Sequence, residues 1–286
     1  MEILRPDTLS EALEMKAAHP AARPIAGGTD LMVELNFDRT RPEEIIDLAR
    51  VPELREHGRS NGALRIGAGV SYTRLIAELG DALPGLAIAS RTVGSPQIRN
   101  RGTVGGNLGT SSPAGDGLPP LFASDAVVEV ASTGGTRRVP VAEFVTGPKR
   151  NALGDDELIV AFEIAAADGP QQFAKIGTRN AMVIAVCSLS VHLWPAQRAV
   201  KACIGSAGPT PIRAAEAEAF ASGVLDWDSR APLDTTAAAE FGRLVEQAAR
   251  PIDDVRGTAA YRHHALGVLG RRTLQWAWNQ YREESS

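Results

Sequence analysis

Two glycine-paired stretches constrain this chain more than any other feature of its sequence: Pro24-Ile25-Ala26-Gly27-Gly28-Thr29-Asp30-Leu31 and Arg101-Gly102-Thr103-Val104-Gly105-Gly106-Asn107-Leu108-Gly109. Each sets adjacent glycines beside a short apolar run. Without a Cβ the backbone reaches φ > 0 and approaches a ligand closely, and successive N–H groups in such a turn form an anion-binding nest. Thr29, Thr103 and Asn107 add side-chain donors. Two such loops, converging, suit a pyrophosphate, each taking part of its charge. Two tight turns between secondary-structure elements is the alternative that the residues alone leave open. A third stretch, Gly67-Ala68-Gly69, follows a strand-like run and precedes a helix-like one, but Tyr72 stands where a dinucleotide fingerprint needs its third glycine. No GxxxxGK[ST] occurs, which disfavours a nucleotide triphosphatase.

Composition excludes more than it assigns. The 286 residues leave room for one large domain or two to three small ones, at roughly 100–200 residues each. A net charge of −4, with no basic excess, argues against a nucleic acid held through its phosphates. Cys187 and Cys203 are the only cysteines. They are too few for a disulfide scaffold, a four-cysteine zinc site or an iron–sulfur cluster, and their apolar surroundings read as inert buried thiols. Glu2, Asp7, Glu11, Glu14 and Lys16 interrupt the N-terminus where a secretory signal needs an apolar core. The most apolar run, 181–194, is too short for a bilayer and alternates with Ser188, Ser190 and His192 like a strand. A cytoplasmic protein without membrane contact is expected. His263 and His264 are adjacent and so face different sides of a helix; no metal site is expected. No nucleophile–histidine pair is evident, and no catalytic residue is assigned to this chain.

The periodicity places a first helix after Pro6-Asp7, with Thr8 or Ser10 as cap, Glu11 completing a capping box and Leu9, Leu13 and Ala17 on the buried face. Strands are expected at 23–26, 44–48, 64–68, 126–131, 137–141 and 158–164, a polar turn at 58–62, and helices at 71–79 and 85–92. Beyond a linker at 165–170, strands at 172–177, 183–193 and 198–204 precede helices at 211–222, 235–249 and 258–280. Strands first and helices afterwards is an α+β pattern.

At its two glycine stretches the sequence resembles a known family, the FAD-binding subunit of molybdenum hydroxylases, as in xanthine and carbon monoxide dehydrogenases. Ile25-Ala-Gly-Gly-Thr-Asp30 is similar to the family's AGG-[TQH]-[DS] motif. The run Ile98-Arg-Asn-Arg-Gly-Thr-Val-Gly-Gly-Asn-Leu-Gly-Thr-Ser-Ser-Pro-Ala-Gly-Asp116, then Leu118-Pro-Pro-Leu121, resembles IRN…T[IV]GGN…[ST]P..D.LP at the same spacing. The likeness continues through Asp156-Glu-Leu-Ile159, Lys175 with Arg179, Gly208-Pro-Thr-Pro-Ile-Arg213, and Arg256 to Tyr261-Arg262, in order along the chain.

The resemblance implies an α+β protein. A two-part FAD-binding domain of PCMH type, residues 1–168, has α/β subdomains at about 1–57 and 58–168. A small α+β C-terminal domain follows at 172–286. It implies that Pro24, Ile25, Ala26, Gly27, Gly28, Thr29, Asp30 and Leu31 wrap FAD largely through the backbone. Thr103, Gly105, Gly106, Asn107 and Thr110 take its phosphate and ribitol side, Asp116 hydrogen-bonds the cofactor, and Ile159 and Lys175 lie near the flavin ring. It further implies partner subunits: a large one with the molybdenum cofactor and a small one with [2Fe–2S] clusters, which send electrons through FAD to NAD or another acceptor. A self-sufficient FAD oxidoreductase and a non-catalytic nucleotide-binding assembly subunit are the competing readings. The chain departs from the family where some relatives carry an aromatic residue, having Val93, and around Met182-Val183-Ile184, where many carry an acid after the arginine.

Overall fold

The computed structural model describes residues 1–60 and 62–284. Two compact units share the chain, and neither is contiguous. One comprises Met1–Ala77, Ser95–Ser111 and Asp125–Ala165; the other comprises Glu78–Gly94, Ser112–Ser124 and the chain from Ala166 onward.

The first unit holds a parallel sheet in the order Glu2–Leu4, Glu44–Asp47, Arg23–Ile25, with Ile45 and Ile46 buried in its central strand. The helix Leu9–Ala18 carries the connection. Thr8 caps it, its Oγ1 accepting from Glu11 N at 3.2 Å. The Glu11 carboxylate reaches back to Asp7 N at 2.8 Å, one residue before the cap. The buried face of this helix is Ala12 and Lys16 rather than the expected Leu9, Leu13 and Ala17, which are half-buried. Lys16 is there because its ammonium closes the chain behind the helix, donating to Pro20 O at 2.6 Å and Ala22 O at 3.1 Å. Burial lowers its pKa from the usual lysine value.

An antiparallel sheet completes the unit, in the order His57–Ser60, Ala63–Gly67, Leu158–Ala165, Val127–Ser132, Gly135–Pro140. The stretch 58–62, expected as a turn, is strand over His57–Ser60, pairing with Ala63–Gly67; Asn61 lies outside the described residues. Leu158 and Val160 of the central strand pack with Ala12, Ile46, Val51 and Leu54, so one core serves the helix and strands from both sheets.

The second unit is built on an antiparallel sheet of Gln171–Ile176, Cys187–Trp194, Ala199–Gly205 and Ile212–Arg213. Every residue of Cys187–Trp194 is buried, because the strand is covered on both faces. Leu189, Val191 and Leu193 pack with Phe241, Leu266 and Trp278 of the helices Thr235–Ala248 and Ala259–Glu283. Pro84–Arg91 and Leu118–Ala123 also pack on this sheet. Two of the alternating polar residues are satisfied where they are buried: His192 Nδ1 meets Ser124 Oγ and its Nε2 meets Ser190 Oγ, each at 2.9 Å.

Cys187 and Cys203 are buried and unpaired by disulfide. Burial pushes the Cys187 thiol up to about 12 and raises that of Cys203 as well. Because the thiolate is the reactive species, a thiol reagent at pH 8 is expected to leave both untouched in the folded chain and to titrate both after denaturation. Rapid labelling of the native protein would contradict this packing.

Candidate functional site

The structure brings the two glycine stretches together within the first unit. Gly27 lies so close to the second stretch that a Cβ on it would fall 1.9 Å from Arg101 O and 2.9 Å from Gly102 Cα. Gly28 has φ +75°, the left-handed region that glycine occupies without cost, and this turn delivers the chain into the helix Leu31–Asn36. A hydrogen bond from Thr110 Oγ1 to Asp30 Oδ2, 3.2 Å, ties the far ends of the two stretches.

The second stretch is not a loop. Val104–Thr110 is a short helix, and Thr103 is its N-cap, its Oγ1 accepting from Gly106 N at 2.8 Å. Capping engages one lone pair of the Thr103 hydroxyl and leaves its O–H free of that bond. Gly105 allows that helix to lie on the turn after Ala63–Gly67: a Cβ there would sit 2.3 Å from Ala68 O. The same turn is stitched to the helix start by an antiparallel bridge between Ser71 and Thr103 and by Tyr72 N donating to Gly102 O at 3.0 Å.

Between these parts lies a cavity of about 580 Å³ within the first unit. Of the residues expected from sequence, Pro24, Ala26, Asp30, Leu31, Thr103, Gly105, Gly106, Thr110 and Ile159 line it. Ile25, Gly27, Gly28, Thr29 and Asn107, also expected, do not line it. Sequence reasoning set aside Gly67-Ala68-Gly69 as an incomplete fingerprint, yet Ala68, Gly69 and Ser71 line the cavity; the strand–glycine–helix pattern was the available signal. The apolar Leu48, Leu54, Leu153 and Leu158 also line it without any local motif to mark them. Charge on the wall is unbalanced: Arg23, Arg55, Arg74, Arg101 and Lys149 stand against Asp30 and Glu34. The Lys149 ammonium bonds Glu34 and holds its carboxyl below the usual value.

Asp116 and Lys175 belong to the second unit and pair there. Lys175 Nζ donates to Asp116 Oδ2 at 2.6 Å and to Thr92 O and Val183 O, both at 3.1 Å. The two side chains are 9% and 7% exposed. Burial raises the Asp116 carboxyl above the ordinary carboxylate value, and the neighbouring ammonium pulls it back. The second carboxylate oxygen, Oδ1, is buried without a hydrogen-bond partner among the described residues. Among those residues no group of three or more His, Cys, Asp or Glu is placed to hold a metal, and no helix is long and apolar enough to cross a membrane.

Comparison with known proteins matches residues 1–166 to the family described as FAD binding domain in molybdopterin dehydrogenase, and residues 172–277 to the CO dehydrogenase flavoprotein C-terminal domain. The xanthine dehydrogenase FAD-binding subunit of Escherichia coli O157:H7 is 31% identical over 286 residues, covering 96% of this chain and 94% of that protein. A solved structure of carbon monoxide dehydrogenase from Hydrogenophaga pseudoflava superposes with a TM-score of 0.90 at 27% identity, covering 98% of each chain. Quinoline 2-oxidoreductase from Pseudomonas putida 86 gives a TM-score of 0.89 at 25% identity, over 98% of this chain and 97% of that one.

Proposed function

The chain belongs to the family of FAD-binding subunits of the molybdenum hydroxylases, and on that premise we propose that it carries electrons through FAD between a partner's [2Fe–2S] clusters and NAD or another acceptor. Substrate oxidation then takes place at a molybdenum cofactor in a large partner subunit. The observation that carries this reading is the cavity walled by both glycine stretches and bearing a cationic surplus.

The residues present fit the cofactor. Gly106 is open toward the cavity, a Cβ there meeting only Thr103 Oγ1 at 3.1 Å. The arginines and Lys149 oppose the charge of a diphosphate, while Leu48, Leu54, Leu153 and Leu158 offer apolar surface for a ring. In this proposal Pro24–Leu31, Thr103, Gly105, Gly106, Asn107, Thr110 and Ile159 of the first unit bind FAD, and Asp116 and Lys175 of the second contribute to the same task. FAD when bound supplies a two-electron carrier that also exchanges electrons singly. The chain's own work is to position it, to exclude water along the Ile159 and leucine wall, and to set its electrostatic surroundings. The span 1–168 is proposed as the FAD-binding domain and 172–286 as the C-terminal domain. The two cysteines are too few for the clusters, in keeping with a partner that holds them.

A visible spectrum of the purified chain, followed by chromatography of the nucleotide released by heat, tests the reading. Near-stoichiometric FAD is expected. A chain that stays colourless after incubation with FAD, both alone and with its partner subunits, would overturn it.

A further inference from the structure

We propose that Glu34 and Lys149 form a latch on the candidate cofactor cavity of the first unit, two positioning residues that set how fast FAD leaves it. Both line the cavity. Lys149 stands at its mouth, with a side chain 53% exposed, while that of Glu34 is 16% exposed. Two side-chain ties join one short helix, Leu31–Asn36, to the second glycine stretch and the hairpin beside it. Thr110 Oγ1 donates to Asp30 Oδ2 at 3.2 Å, and Lys149 Nζ donates to Glu34 Oε1. Asp30 is the N-cap of this helix, and residues four apart share a helix side, so both ties leave from the same side.

The two partners of the latch are held very differently. Lys149 sits at φ +54° between the paired strands Val145–Gly147 and Arg150–Asn151. Its N–H donates to Ser111 O at 3.0 Å, and Asn151 Nδ2 donates to Gly109 O at 2.8 Å. The hairpin is thereby pinned to the end of the helix Val104–Thr110. The helix that carries Glu34 has little to hold it. Of its six residues Leu31 alone is buried, and Met32, Val33 and the following Phe37 are exposed. Its end closes on itself: Phe37 N donates to Val33 O and Asp38 N to Leu35 O, both at 3.1 Å, and Arg39 N to Glu34 O at 2.8 Å. Such a segment keeps its shape whether or not it stays against the cavity, and little apolar burial opposes its displacement.

Charge separates a latch from a ligand contact. The inference rests on the reading that FAD occupies this cavity. A carboxylate on the wall repels the diphosphate of such a ligand, so Glu34 is out of place as a binding group. It is in place as the hold of the helix on Lys149. Arg23 Nη2, 3.8 Å from Glu34 Oε2, adds a second cation to the same carboxylate.

The test is the rate at which radiolabelled FAD leaves the full chain during a chase with excess unlabelled FAD. Glu34→Gln and Lys149→Met are each expected to speed release about three- to fivefold, the range of a partly exposed ion pair. The charge exchange Glu34→Lys/Lys149→Glu should restore most of the original rate. Higher salt should narrow the gap between the unmodified chain and Glu34→Gln, because it screens the pair. The control is Glu240→Gln, which breaks an exposed ion pair with Arg243 in the second unit and should leave release unchanged. Without a latch, Glu34→Gln removes only a repelling charge, and release becomes slower or stays the same; either result would overturn the proposal. So would an exchanged pair that releases FAD as fast as the single variants. Failure of the unmodified chain to bind FAD at all would remove the reading of the cavity, and the latch with it.

Discussion

Replacing Gly27 by alanine is expected to abolish FAD binding at micromolar cofactor and to lower the unfolding midpoint. The methyl group would fall 1.9 Å from Arg101 O and 2.5 Å from its carbonyl carbon, so the contact must open to at least the 3.4 Å of ordinary van der Waals approach. All atoms facing it are backbone, and no rotamer change relieves the clash. Both segments it separates are walls of the candidate cofactor cavity. Overpacking of this kind costs about 1–3 kcal/mol, and a loss of roughly 100-fold in affinity corresponds to about 2.7 kcal/mol. Gly58→Ala is the control: a Cβ there meets nothing within 4 Å, and no change is expected in either quantity. Flavin content and melting temperature of the two variants side by side decide the matter. A Gly27→Ala chain that retains its flavin would show that the two stretches do not have to touch.

Removing the ammonium of Lys175 should have the second large effect. Lys175→Met strands Asp116 in a buried place, and breaking a buried ion pair on one side costs about 3–5 kcal/mol. The pH dependence has a definite sign. Burial already raises the Asp116 carboxyl, and Lys175 opposes the rise, so the variant's folded state holds its proton to a higher pH than the unfolded chain does. The contribution is then fully present below the unfolded carboxylate value near pH 4 and is lost as pH rises through the raised folded value. Denaturant unfolding of the variant should therefore lie nearer that of the unmodified chain at pH 4 than at pH 7. The Asp116→Leu/Lys175→Met chain should recover most of the stability, because replacing both members of a buried pair by apolar groups is often neutral. Equal stability of Lys175→Met and the unmodified chain at pH 7 would mean that Asp116 is solvated.

Much of this arrangement is legible in the residues, and the exceptions have physical causes. Thr8 followed by Glu11 marks a helix start by local hydrogen bonding alone, and the strands at 127–132, 158–165 and 199–205 follow from apolar runs between turns. Gly27 and Gly105 mark the cavity because close backbone approach leaves no room for a Cβ, and Gly28 because its φ is +75°. The helix at Val104–Thr110 escaped notice because its glycines lower helix propensity; Thr103 as N-cap and packing on Ala68 outweigh them. Lys16 on a buried face defeats hydrophobic periodicity, since its role is set by two carbonyls past the helix end. The leucines lining the cavity cannot be told from core leucines by any pattern, because lining depends on which side of a wall the chain passes.

The interleaving of the two units has a consequence for synthesis on the ribosome. Pro84–Arg91 and Leu118–Ala123 belong to the unit that contains Gln171–Ile176, Cys187–Trp194 and Ala199–Gly205, and they pack against those strands. Chain growth proceeds at roughly 5–20 residues per second, so Leu86, Ala89, Leu121 and Phe122, all buried at the end, emerge on the order of seconds before the strands that cover them. The first unit, by contrast, has all its strands once Ala165 is made. The growing chain thus carries two apolar inserts that await their sheet after every strand of the first unit has been made.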